Sequence, residues 1–107
     1  MEVNTSGETT KFGVPPQAAL DLLATARGLE GIRLDGLMTI GPLDGGPDGA
    51  RRAFRILASL RAEAQRAGLL TGGADLSMGM SEDFEIAIEE GATIVRIGSA
   101  LFGHRPA

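Results

Sequence analysis

Cysteine is absent from the 107 residues, so neither a disulfide nor a thiolate metal site is available. Histidine occurs once, at His104, and one imidazole cannot build a metal site; the carboxylates show no tight ligand spacing. Lysine also occurs once, at Lys11, so all the other basic side chains are arginines. The formal charge of −4 argues against general nucleic-acid binding, which needs a basic face. No apolar run approaches membrane-spanning length and no signal-peptide pattern opens the chain, so the cytoplasm is the expected compartment. What is present is 43% hydrophobic and 22% charged residues, the composition of a single soluble globular unit.

Short apolar runs alternate with longer amphipathic ones. Met1 to Asn4 reads as the tail of a strand, ending in the turn-rich Thr5-Ser6-Gly7-Glu8. Pro15 and Pro16 stand where a helix can start, Leu20, Leu23 and Ala24 make its buried stripe, and Gly28 stops it. Leu34 to Ile40 is a second strand, ended by Gly41-Pro42. Pro47 and Asp48 open the longest helix, with Phe54, Leu57, Leu60 and Ala64 on one side. Arg51, Arg55, Arg61 and Glu63 fall on its wet side, and Gly68 or Gly72-Gly73 closes it. Leu76 to Met80 is a third strand, and Ser81 N-caps the helix that follows. Glu82 and Asp83 suit that helix's first turn, Phe84, Ala87 and Ile88 its inner face, and Gly91 its end. Thr93 to Ile97 is a fourth strand, followed by a helical turn from Ser99 to Phe102.

Such alternation with short links predicts an α/β fold of parallel strands joined by right-handed crossovers. Four units make either a small open sheet or half of an eight-stranded (β/α)8 barrel. In a barrel, phosphate is commonly held by the loops after the last two strands. Here those loops begin at Ser77-Met78-Gly79 and Gly98-Ser99, where apolar runs break into glycine and serine. The barrel reading fits better. Half a barrel leaves unpaired edges, and no proline or lysine protects the run Thr93 to Ile97. The chain is therefore expected to be half of a larger fold or to pair through its edges, with itself or another chain.

The blocks Leu76-Ser77-Met78-Gly79-Met80-Ser81-Glu82-Asp83-Phe84, Glu90-Gly91-Ala92-Thr93 and Val95-Arg96-Ile97-Gly98-Ser99-Ala100-Leu101-Phe102-Gly103 carry more than a lone glycine motif. Together with Val3-Asn4-Thr5-Ser6-Gly7-Glu8, Lys11-Phe12-Gly13 and Gly36-Leu37-Met38-Thr39-Ile40, they resemble the pyridoxal-phosphate homeostasis (YggS-like) proteins. Those are related to the N-terminal barrel of alanine racemase. The resemblance implies the C-terminal half of that barrel, because family members are about twice this length, as whole barrels are. It implies pyridoxal 5′-phosphate as cofactor, and a carrier or homeostasis role with no established turnover.

By resemblance, Ser77, Met78 and Gly79 surround the phosphate, Gly98 and Ser99 complete the clamp, and Arg96 donates to the pyridine nitrogen. Arginine keeps its protons at ordinary pH, so a ring nitrogen facing it stays unprotonated and the ring is a weak electron sink. The family's Schiff-base lysine belongs to a first strand outside this sequence; Lys11 matches a loop lysine. Weak, non-covalent affinity is expected. Racemase relatives carry a histidine close to the position of Ile40 and use a tyrosine from a second domain, whereas this chain contains no tyrosine.

Each residue also has a structural reading. Gly79 suits an awkward dihedral, Gly98-Ser99 a turn and cap, and Met78 and Met80 packing. Arg96 suits an ion pair with Asp75 or Glu90, Asn4 a turn, Met38 the core, and His104 a solvated tail. Two other functions stay open: half of a fold-type III enzyme, such as a racemase, completed by another chain, and a generic phosphate-binding half-barrel.

Overall fold

A computed structural model describes residues 1–8, 12–42, 45–70 and 72–103. Lys11 and His104 lie outside the described residues. Helix α1, Pro16–Arg27, starts where a proline at the first helical positions loses no needed N–H. Ala19 and Leu23 are buried and Leu20 packs against the core, whereas Ala24 is exposed, so the expected stripe holds at Leu20 and Leu23 and fails at Ala24. Helix α2, Gly46–Arg66, follows the expectation closely: Ala50, Ala53, Phe54, Leu57, Leu60 and Ala64 are buried along one face. It stops at Gly68, whose φ of +69° a side chain would resist.

Strands β1, Gly36–Met38, and β2, Asp75–Ser77, pair in parallel with Leu37 opposite Leu76. Both leucines are buried against α2, in one cluster with Val3, Leu23, Phe54, Leu57, Met78 and Ala87. Each large side chain in it contributes roughly 1.5–3 kcal/mol by leaving water.

The four-strand expectation is corrected here: among the described residues two strands form, and the outer segments join through single parallel bridges, Glu2 to Met38 and Ser77 to Ile94. The cause on the Ile94 side is visible. The Leu76 amide donates to the Thr93 hydroxyl at 2.8 Å, not to a backbone carbonyl, and the Thr93 and Ile94 amides share the Leu76 carbonyl. A side chain has replaced a rung of the ladder. On the other side, residues 2–4 are flanked by Val14, whose amide donates to the Glu2 carbonyl at 3.0 Å.

Helix α3 runs Phe84–Glu89 and α4 runs Ser99–Phe102. In α3 Ala87 is buried and Ile86 packs against the core, but Ile88 is exposed, contrary to the expected inner face. Ser81 does not cap α3: the N-cap position is Asp83, whose side chain makes no capping bond. The expected wet arginines of α2 also divide. Arg51 donates to Glu90 at 2.6 Å and to Glu89 at 3.1 Å, and Arg55 donates to Glu90 at 3.0 Å, clamping α3 onto α2. Arg61 is half-buried and reaches the Ala74 carbonyl at 3.3 Å.

Candidate functional site

All four extended segments run in the same direction, so the residues that follow them share one rim. Thr39 leaves β1, Met78 to Ser81 leave β2, and Val95 to Ser99 follow the Ile94 bridge. Two links hold these exits side by side: the Thr39 amide donates to the Ser77 carbonyl at 3.0 Å, and the Arg96 amide to the Gly79 carbonyl at 2.9 Å.

Ser77 ends β2 half-buried, and its hydroxyl makes no hydrogen bond among the described residues. Met78 is fully buried in the core, with its amide on the Ile94 carbonyl at 3.1 Å. Gly79 has a φ of +104°, and a Cβ there would lie 2.6 Å from the Ala87 Cβ and 3.1 Å from the Phe84 Cα. The strained dihedral and the close passage of α3 both require glycine.

Arg96 is half-buried and donates through Nη2 to the Thr39 carbonyl at 2.9 Å. Its Nε is buried with no hydrogen-bond partner. The alternative ion pairs do not form: Glu90 is taken by Arg51 and Arg55, and Asp75 accepts from the Thr93 hydroxyl at 3.1 Å. The Arg61 Nε on α2 shares this state, but only the Arg96 Nε stands among the rim residues, where an added acceptor would satisfy a group that is costly to leave unpaired.

Gly98 and Ser99 stand at the start of α4. The Gly98 amide and the Ala100 amide both donate to the Ser81 hydroxyl, at 3.2 and 3.0 Å. The Ser99 amide and hydroxyl make no bond among the described residues. A hydroxyl has two lone pairs and one proton, so Ser81 Oγ, accepting twice, keeps only its proton to give. That proton has no acceptor among the described residues. The Met80 amide, in contrast, is occupied by the Asp83 carboxylate at 2.8 Å.

By its local pattern Ser81 is a helix cap, and nothing near it in sequence points to this bridge. The bonds span 17 and 19 residues, so no local pattern could have disclosed them. Asn4 spends its side chain on the turn, accepting from the Ser6 amide and donating to the Glu8 carbonyl. Met38 ends β1 half-buried.

The Arg51 and Arg55 guanidiniums hold the Glu90 carboxyl below the usual carboxylate range, and Glu90 and Glu89 in turn raise Arg51. A groove of about 590 Å³ lies beside these arginines, lined by Pro16, Asp48, Arg52, Ile56, Ser59 and Glu63 among others. It shares no residue with the rim, and carboxylates largely balance its guanidiniums. Among the described residues no acidic or imidazole cluster is placed to hold a metal ion, and no helix is long and apolar enough to cross a membrane.

The pyridoxal phosphate homeostasis protein of Aquifex aeolicus is 50% identical over 105 residues, covering 98% of this chain and 46% of that protein. The crystal structure of a Bifidobacterium adolescentis protein superposes with a TM-score of 0.89 at 43% identity, covering 94% of this chain and 41% of the other. PipY of Synechococcus elongatus PCC7942, solved with pyridoxal phosphate bound, superposes with a TM-score of 0.78 at 32% identity, over 94% and 47% of the two chains. The chain thus spans less than half the length of the proteins it matches. Parallel strands alternating with helices, their exits gathered on one rim, fit a fragment of a TIM-type barrel. The family model for the alanine racemase N-terminal domain matches residues 1–106, and the chain belongs to that family.

Proposed function

We propose that this chain is the C-terminal half of a (β/α)8 barrel of alanine-racemase type and binds pyridoxal 5′-phosphate at the rim, as part of a carrier or homeostasis protein. The observation that carries the reading is the orphaned Nε of Arg96, a fixed cationic donor beside a row of unspent serine groups. A planar heteroaromatic ring with a lone pair on nitrogen fits that donor, and a phosphomonoester fits the serines. The similarity to proteins named for this cofactor, and to PipY solved with it, supports the same assignment.

When bound, the cofactor supplies an aldehyde and an electron-withdrawing ring. Arg96 would hold the ring nitrogen by a hydrogen bond from its Nε–H while keeping the proton, so that nitrogen would remain an acceptor. The Ser77, Ser81 and Ser99 hydroxyls and the Ser99 amide would hold its phosphate oxygens. Gly79 and Gly98 let the backbone approach, and Met78 anchors the loop in the core. The reading assigns no turnover to this chain. The Val95 and Ile97 amides have no partner among the described residues, so that edge is the surface for pairing with another copy or another chain.

Pyridoxine 5′-phosphate, which lacks the aldehyde, reports the non-covalent site without reaction at Lys11. Its dissociation constant is expected to rise about tenfold in Arg96→Leu, the worth of one charge-assisted hydrogen bond. Equal binding of a sugar phosphate, unchanged by Arg96→Leu, would replace this reading with a generic phosphate site.

A further inference from the structure

Thr39 is fully buried and joins all four parallel segments. Its amide donates to the Ser77 carbonyl of β2 at 3.0 Å, and its carbonyl accepts Arg96 Nη2 at 2.9 Å. Its hydroxyl donates to the Val3 carbonyl at 2.7 Å. The Thr5 hydroxyl, also buried, lies 2.9 Å from the Thr39 hydroxyl. Because Thr39 has one hydroxyl proton and gives it to Val3, Thr5 is the donor of that pair. The result is a directed chain, Thr5 to Thr39 to the Val3 carbonyl, closed off from water.

The consequence for Arg96 is specific. A guanidinium on a flexible stem loses much rotamer freedom when its head is fixed. Among the described residues the Thr39 carbonyl is the sole acceptor holding that head. The direction of this carbonyl is set by the peptide that follows the hydroxyl-anchored residue, so the anchor and the aim are one device.

We propose that Thr39 is the positioning residue for Arg96, fixing the guanidinium so that Nε points to the ligand's ring nitrogen. The assignment rests on the cofactor reading above but concerns aim, not affinity for phosphate. Removing the hydroxyl while keeping the shape frees the Val3 carbonyl and lets the β1 exit drift. Ser77 is tied to Thr39 through the backbone only, while Ser81, bonded to Gly98 and Ala100, and Ser99 belong to exits with no bond to Thr39 and stay in place to hold phosphate.

The test compares Thr39→Val, Thr39→Ser and wild type in the full chain, with two probes and one ligand-free measurement. Pyridoxine 5′-phosphate affinity is expected to fall about tenfold in Thr39→Val and to return within about twofold in Thr39→Ser. Inorganic phosphate affinity is expected to stay within about twofold in both. Without ligand, the Arg96 side-chain Nε–H resonance is expected to broaden or shift to the free-arginine position in Thr39→Val and to recover in Thr39→Ser. Loss of both probes in equal measure, or an unchanged Arg96 resonance in a folded Thr39→Val, overturns the proposal. If wild type binds neither probe, the cofactor reading fails, and the Arg96 resonance still decides the role of Thr39.

Discussion

A Cβ placed on Gly79 would sit 2.6 Å from the Cβ of Ala87, so the exit of β2 rests directly on α3. Gly79→Ala therefore meets two obstacles, a φ of +104° and a filled space. Together they are expected to cost about 2–4 kcal/mol of stability. Chemical denaturation checks this. Adding Ala87→Gly should recover the Ala87 part of the packing cost and leave the Phe84 contact and the dihedral part, whereas unchanged stability in Gly79→Ala would deny the contact.

The other side of α3 is held by charge. Glu90, gripped by Arg51 and Arg55, has a folded-state pKa below its ordinary value. Stability from this group is then intact above the ordinary glutamate pKa of about 4.3, and is lost as pH falls through the lower folded value. Thermal unfolding from pH 7 down to acid should show a steeper loss in wild type than in Glu90→Gln. The two curves should converge at the acid end. Parallel curves would mean the carboxylate contributes nothing to the clamp.

Ser81 bridges two exits through its oxygen alone. In Ser81→Ala the Gly98 and Ala100 amides lose their acceptor, and their hydrogen exchange should quicken in the ligand-free chain. Pyridoxine 5′-phosphate affinity should fall roughly tenfold, the scale of a hydrogen bond to a charged group. Unaltered exchange at both amides would show that the bridge does not hold α4 in place.

The open edge at residues 95–97 leads to a prediction about assembly. Ile94 is 44% exposed beside it, and the one charge in the run, Arg96, is turned to the Thr39 carbonyl. Sedimentation of the chain should show concentration-dependent association, which Ile94→Lys reduces. A monomer at all concentrations would remove the edge as a pairing surface.

Much of this was legible in the sequence. The stripe Phe54, Leu57, Leu60 and Ala64 has helical period and is buried as its spacing requires. Parallel strands follow from the alternation of short apolar runs with helices. The rest is set by non-local contacts. Thr93 looks like any β-branched strand residue, yet its hydroxyl takes the Leu76 amide and ends the ladder there. Arg51 and Arg55 look solvated until α3 folds back and offers Glu90. Thr39 reads as a strand former, since no local pattern shows that its carbonyl meets a side chain 57 residues away. Ile88 fits an inner face by spacing, but α3 is only 6 residues long and turns Ile86 inward instead.

The most direct measurement is a backbone amide NMR titration of the chain with pyridoxine 5′-phosphate. Binding at the rim predicts perturbations gathered at Thr39, Ser77 to Ser81 and Arg96 to Ala100, saturating together. Perturbations centred on Arg51, Arg52 and Arg55 along the α2 groove, with the rim silent, would contradict the account.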